Sequence, residues 1–206
     1  MTPPSVVGPR GDEAARGKPL FVLVGGGARS GKSRFALGRA LALGERGVHG
    51  RCLFLATAEE TDDEMRARIA RHRQERDARM RTVEAPLELP AALDDAVSDD
   101  VVLIDCLTLW LSNLLVRGAS VDEALARVDD LRTAIARRRV PVVLVTNEVG
   151  MGLVPDTPLG RAFRDVAGLA HQRLARDADE IHVAVLGLLL RLRPDPVAVH
   201  GPVHDR

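Results

Sequence analysis

The chain has 206 residues, 46% of them hydrophobic, and its 29 acidic side chains balance 29 basic ones. That is enough apolar material for one core of ordinary domain size, and it excludes a disordered or fibrous protein. Zero net charge removes the field that recruits nucleic acid or an anionic membrane, and four Phe, one Trp and no Tyr leave few stacking platforms for a single-strand nucleic-acid binder.

Residues 1–19 are rich in Pro, Gly and charge, lack the apolar run of a signal peptide, and read as a flexible N-terminal extension. "LFVLV" (20–24) is a short apolar run ended by glycines, as in a buried strand, and "KSRFALGRALAL" (32–43) has a helical pattern. "CLFLAT" (52–57) is a second strand. "TDDE" (61–64) matches a capping box that opens a charged helix carrying "ARIARHRQER" (67–76). "LELPAALDDAV" predicts a helix, "DVVLID" (100–105) a strand, residues 120–138 a long helix and "VPVVLVTNE" (140–148) a strand. The stretch "TPLGRAFRDVAGLAHQRLARDADE" is a long amphipathic helix. Pro158 stands in its first turn, and Leu159, Phe163, Val166, Ala170 and Leu174 mark its apolar face. "IHVAVLG" and "LLLRLR" close the chain as strands, and residues 194–206 read as a flexible tail.

Short apolar strands alternating with helices imply an α/β fold with a mostly parallel sheet, helices on both faces and ligands at the carboxyl ends of the strands. Residues 20–193 form one domain on this reading. No apolar stretch reaches the roughly 20 residues of a membrane span. Cys52 and Cys106 lie in apolar surroundings and read as buried, reduced thiols, so a soluble, cytoplasmic protein is expected.

"GGARSGKS" (Gly26, Gly27, Ala28, Arg29, Ser30, Gly31, Lys32, Ser33) fits G-x-x-x-x-G-K-[ST] between a strand and a helix. Glycines there let successive N–H groups converge on phosphate oxygens at a helix N-terminus. Lys32 would reach the β- and γ-phosphates and the Ser33 hydroxyl would ligate Mg²⁺. Asp105 ends the apolar strand "VVLID", the place of a carboxylate that holds Mg²⁺; the competing reading is a cap on the following helix. These features predict a P-loop NTPase-like, RecA-like fold that takes a nucleoside triphosphate with Mg²⁺.

Four segments, "GGARSGKSRFA", "LATAEETDDEMRARIARHRQER", "IDCLTLWLSNLL" and "VTNEVGMGLVPDTPLGRAFRDVAGLAHQRLARDADE", together closely resemble the bifunctional adenosylcobinamide kinase / adenosylcobinamide-phosphate guanylyltransferase family of cobalamin biosynthesis. The resemblance implies phosphorylation of the aminopropanol hydroxyl of adenosylcobinamide with ATP or GTP. Transfer of GMP from GTP onto that phosphate would follow, through a guanylyl-histidine. The motif R-I-x-x-H-R-x-x-R places that histidine at His72; some relatives carry a second histidine where this chain has Arg71. The resemblance also assigns nucleotide contacts to Ala56, Thr57, Ala58, Arg73, Gln74, Glu75, Arg76, Glu84 and Asp105, and implies a homo-oligomer with a trimer as the expected size. Its partner is a small-molecule corrinoid, with no nucleic acid and no membrane span.

The residues themselves bear on these roles. In a regular helix Arg68, His72 and Arg76 project from one face, where positive charge keeps an imidazole neutral and could grip an α-phosphate. Read alone, the same face is a solvated charged surface. Glu84 is either a guanine acceptor or a surface carboxylate. Asn147 and Glu148, in "TNEVGMG", either act on the substrate hydroxyl and the metal or form a structural turn. His49, His171 and His182 have no partners legible in sequence and read as core or surface histidines, while His200 and His204 belong to the tail. No Cys/His spacing suggests a zinc site. Two rivals remain: a kinase without guanylyl transfer, and a P-loop switch or ATPase acting on a protein partner.

Overall fold

The computed structural model describes residues 18–59, 66, 80–96 and 99–200, the last four as backbone only. The capping box at 61–64 and the helix expected after it lie outside the described residues, as do His72, Arg73, Gln74, Glu75 and Arg76.

The strands are β1 (Phe21–Gly26), β2 (Cys52–Ala56), β3 (Met80–Glu84), β4 (Val101–Asp105), β5 (Val142–Val145), β6 (Glu180–Val185), β7 (Leu188–Arg193) and β8 (Val197–His200). The helices are α1 (Lys32–Gly44), α2 (Leu89–Asp94), α3 (Leu107–Val116), α4 (Val121–Arg137) and α5 (Pro158–Asp177). They build one eight-stranded sheet in the order β3-β2-β4-β5-β1-β6-β7-β8. The first six strands of that order are parallel and the last two join antiparallel. β5 lies between the strand that runs into the glycine loop and the strand that ends in Asp105.

The central strands are buried on both faces, which is why they read as unbroken apolar runs. Alternate residues serve opposite faces. Leu23, Leu53, Leu55, Ile104 and Leu144 pack under α2 to α5, while Val22, Val24, Phe54, Leu103 and Val145 pack under α1. Helix ends follow the sequence signals. Ser120 and Glu123 form a reciprocal capping box on α4, and Thr157 caps α5 by accepting from Gly160 N at 3.1 Å.

Two elements had no clear signal. α3 is nearly apolar all round, with Leu107, Trp110, Leu111 and Leu115 buried, so it lacks a helical period. β3, "MRTVE", is a half-exposed edge strand carrying charge. The tail expected from residue 194 begins instead with a strand: β8 pairs with β7, with Val197 opposite Arg191. Alternating Val-Ala-Val supplies enough β character for that pairing.

Register fixes the working edge of the sheet. Glu84, Ala56, Asp105, Val145, Val24 and His182 lie side by side in one row, from β3 across to β6. The loops that follow these positions all open at the same carboxyl end.

Candidate active site

The phosphate cradle is a backbone device. Gly26 has φ 148 and Gly31 has φ 90, with Arg29 at φ 55 between them. A Cβ on Gly26 would lie 2.6 Å from the Ala184 carbonyl oxygen, so only glycine lets β1 turn away beside β6. Gly31 precedes α1 without any side-chain cap, so an anion in this loop would face the N–H end of that helix. Lys32 is buried, and its ammonium folds back to donate to the Gly27 carbonyl at 3.0 Å. Ser30 Oγ is buried with no hydrogen-bond partner, a donor aimed into the loop it serves. Ser33 follows in the first turn of α1.

Asp105 stands two strands from β1, half-buried at the end of β4. Among the described residues no group of three or more His, Cys, Asp or Glu could hold a metal by itself. One carboxylate, Asp105, and one hydroxyl, Ser33, are the hard oxygen donors these segments carry, a donor type that fits Mg²⁺, which binds through one or two carboxylates plus substrate phosphates.

Cys106, joined to Asp105 by a cis peptide bond, is fixed by its neighbours. Its N–H donates to Thr57 Oγ1 at 2.7 Å and its carbonyl accepts from the same hydroxyl at 2.8 Å. Burial, reinforced by the Asp105 charge, pushes its thiol up, so it stays protonated. Thr57 is fully buried, and its side chain latches the end of β2 to the end of β4. Ala56 ends β2 in the register row and Ala58 is partly exposed just past it. Glu84, exposed at the end of β3, lines a cavity of about 520 Å³ with Leu53, Arg81, Val83 and α2.

Beyond β5 the chain runs on along β1: Thr146 N donates to Val24 O at 2.9 Å and Glu148 N to Gly26 O at 3.1 Å. This sets Glu148 against the first residue of the phosphate loop. Its carboxylate accepts from Gly150 N at 2.6 Å. Asn147 Nδ2 donates to Thr108 Oγ1 at 2.8 Å.

A cobinamide kinase / cobinamide phosphate guanyltransferase family model matches residues 22–192. The chain belongs to that family. It is 42% identical over 187 residues to the bifunctional adenosylcobalamin biosynthesis protein CobU of Salmonella typhimurium, covering 84% of this chain and 100% of that protein. It is 42% identical to CobP of Pseudomonas aeruginosa over 180 residues, 85% of this chain and 98% of that one. Among solved structures, the RadB recombinase overlaps with a TM-score of 0.49 at 17% identity, over 87% of this chain and 84% of that chain.

In this family member sequence reasoning missed His171. It was expected to lack partners, yet α5 carries it to the carboxyl edge, where Nε2 lies 2.6 Å from Thr146 Oγ1 and Nδ1 3.8 Å from a Glu148 oxygen. Burial pulls its pKa down against the opposing pull of Glu148, so the ring is neutral at physiological pH. The signal was present only as the pairing of strand end and helix in space. His182 is likewise a core histidine with a partner, Glu180, at 3.1 Å. His49 sits in an exposed turn whose backbone is held by Asp100.

Proposed function

We propose that the family's two reactions, phosphoryl transfer to cobinamide and guanylyl transfer to cobinamide phosphate, share the carboxyl edge of this sheet. The observation that carries the reading is the register row. It sets Glu84, Ala56 and Asp105 in line with the strand that runs into the cradle, with Glu148 against the cradle's first glycine.

In the first reaction the cradle N–H groups and Lys32 hold the triphosphate of ATP or GTP. The acceptor is the aminopropanol hydroxyl of the corrinoid. Its oxygen attacks the γ-phosphorus, the bond to the β–γ bridging oxygen breaks, and Glu148 takes the hydroxyl proton. Asp105 and Ser33 would hold Mg²⁺, which spreads the charge of the phosphate oxygens. In the second reaction a nitrogen of His72 attacks the α-phosphorus of GTP and pyrophosphate leaves. An oxygen of cobinamide phosphate then breaks the P–N bond and carries off GMP. Arg73, Gln74, Glu75 and Arg76 follow that nucleophile as nucleotide contacts. Glu84 accepts from guanine at the far end of the row, four strand spacings or about 19 Å from β1.

The reading includes a homo-oligomer, a trimer by resemblance. Val185, Leu188, Leu190 and Leu192 at the antiparallel end of the sheet are all more than a third exposed, and they are the surface such an assembly would bury.

The test is incubation with Mg²⁺ and GTP labelled at the α-phosphate, wild type beside His72→Ala. An acid-labile, base-stable label on the wild type alone is the expected result. Protein that binds GTP and takes no label would overturn the histidine intermediate and leave the kinase step standing.

A further inference from the structure

We infer that Met151, Leu153 and Val154, in the loop joining β5 to α5, form the platform on which the corrin macrocycle of the substrate rests. The inference builds on the functional reading above and assigns a ring-binding surface to residues outside the nucleotide site.

The loop is pinned along its length. Thr146 and Glu148 are tied to β1, Gly150 O accepts from Arg164 Nη2 at 2.9 Å, and Arg161 Nη1 donates to the carbonyls of Pro155 at 3.0 Å and Asp156 at 2.8 Å. Between these anchors the side chains point away from the protein: Met151 is 90% exposed, Leu153 96% and Val154 64%. A free loop would fold such side chains inward or carry polar ones. Here the backbone is fixed by α5 and the apolar groups are held outward, the arrangement of a surface built to be covered.

Position decides what covers it. The acceptor oxygen must come within roughly 3–3.5 Å of the γ-phosphorus, beside Glu148. That hydroxyl is tethered to a macrocycle far larger than the cradle, so the ring must lie immediately outside Glu148. Met151 follows three residues later, no more than about 10 Å along the chain. The cradle offers backbone N–H groups, a lysine and hydroxyls, all suited to phosphate. Met151, Leu153 and Val154 offer apolar contact, suited to the face of a broad, rigid ring. Self-association has its own candidate surface on β6 and β7, so the platform is not needed for it.

The experiment is steady-state kinetics of cobinamide phosphorylation by the full chain carrying Met151→Ser and Leu153→Ser together, with mass in solution measured by light scattering. Both positions face solvent, so the fold is retained. The KM for cobinamide should rise about tenfold, with the KM for the nucleotide and the mass unchanged. The paired apolar replacements Met151→Leu and Leu153→Met should restore it. An unmoved corrinoid KM in an enzyme that phosphorylates cobinamide would sink the platform alone. A change of mass would instead mark the loop as a contact between copies. Wild-type protein that left cobinamide unphosphorylated would overturn the functional reading, and the platform with it.

Discussion

Two loops leave neighbouring strands at the same end of the sheet, and they are held in opposite ways. The phosphate loop after β1 owes its shape to backbone conformation, with positive φ at Gly26, Arg29 and Gly31 and no room for a Cβ between Gly26 and Ala184 O. The loop after β5 is held by side chains from a helix that follows it: His171 on Thr146, Arg164 on Gly150 and Arg161 on Pro155 and Asp156. The first arrangement turns N–H groups toward a charged ligand and has to be rigid before that ligand arrives. The second spends arginines on its own backbone and leaves its outer side chains free for an uncharged surface. The difference predicts different failures, by loss of charge or steric clash in one loop and by loss of distant partners in the other.

The largest effect belongs to Lys32. Lys32→Ala should lower kcat of the kinase step by about 10²–10³-fold, the usual loss for one preorganised donor at a developing charge. Far-UV circular dichroism should not change, and an active Lys32→Ala enzyme would remove the cradle from the mechanism. Next is the contrast between two adjacent glycines. Gly26→Ala should destabilise by about 1–3 kcal/mol because its methyl meets a carbonyl oxygen in a backbone region closed to L residues. Gly27→Ala meets nothing within 4 Å and should unfold in urea near the wild-type midpoint. Equal midpoints for the pair would break the steric account of this loop.

That contrast also explains what could be read in advance. The phosphate loop is contiguous and needs residue types at fixed spacing, so its strand–loop–helix geometry was legible in sequence, and the apolar run before Asp105 marked its place at a strand end. The central strands were legible because burial on both faces removes polar residues from them. α3 was not, since its outer side also carries apolar residues, Leu109, Leu114 and Val116, which blur the helical period. β3 was not, because an edge strand keeps its charges. The β5–α5 loop was half legible: "TNEVGMG" marks a turn after a strand, but His171 reaches Thr146 across 25 residues of sequence. No local pattern records such a partner. Thr57 taught the converse. It stands in a segment expected to contact nucleotide, and the structure adds a partner that the sequence does not show, the Cys106 backbone.

Thr57→Val sharpens that last point. The swap keeps the shape and removes the hydroxyl, leaving the buried Cys106 N–H without its acceptor at a cost of about 1–3 kcal/mol. Chemical denaturation should report that loss while the nucleotide KM stays put. A raised KM with unchanged stability would return Thr57 to the site.

The smallest effect is a slope. Burial lowers the pKa of both His171 and His182, and Glu148 and Glu180 pull the other way without reversing the direction. Each ring is therefore harder to protonate in the folded chain than in the unfolded one, where it titrates near about 6.5. Between the depressed folded value and the ordinary one, the unfolded state binds more protons, so stability should fall as pH drops through about 6.5. The loss should level off once the folded rings protonate. Urea midpoints at pH 7.5, 6.5 and 5.5 would trace it, above the range where ordinary carboxylates titrate, all three values being chosen around the unfolded histidine pKa of about 6.5. His171→Gln keeps a polar side chain near Thr146 and cannot gain a proton, so its slope should be shallower than that of the wild type. An unchanged slope would mean that the Glu148 carboxylate offsets burial at His171. Below about pH 6.5 the brace on the β5–α5 loop would then carry a proton, and there the loop would be held partly by charge.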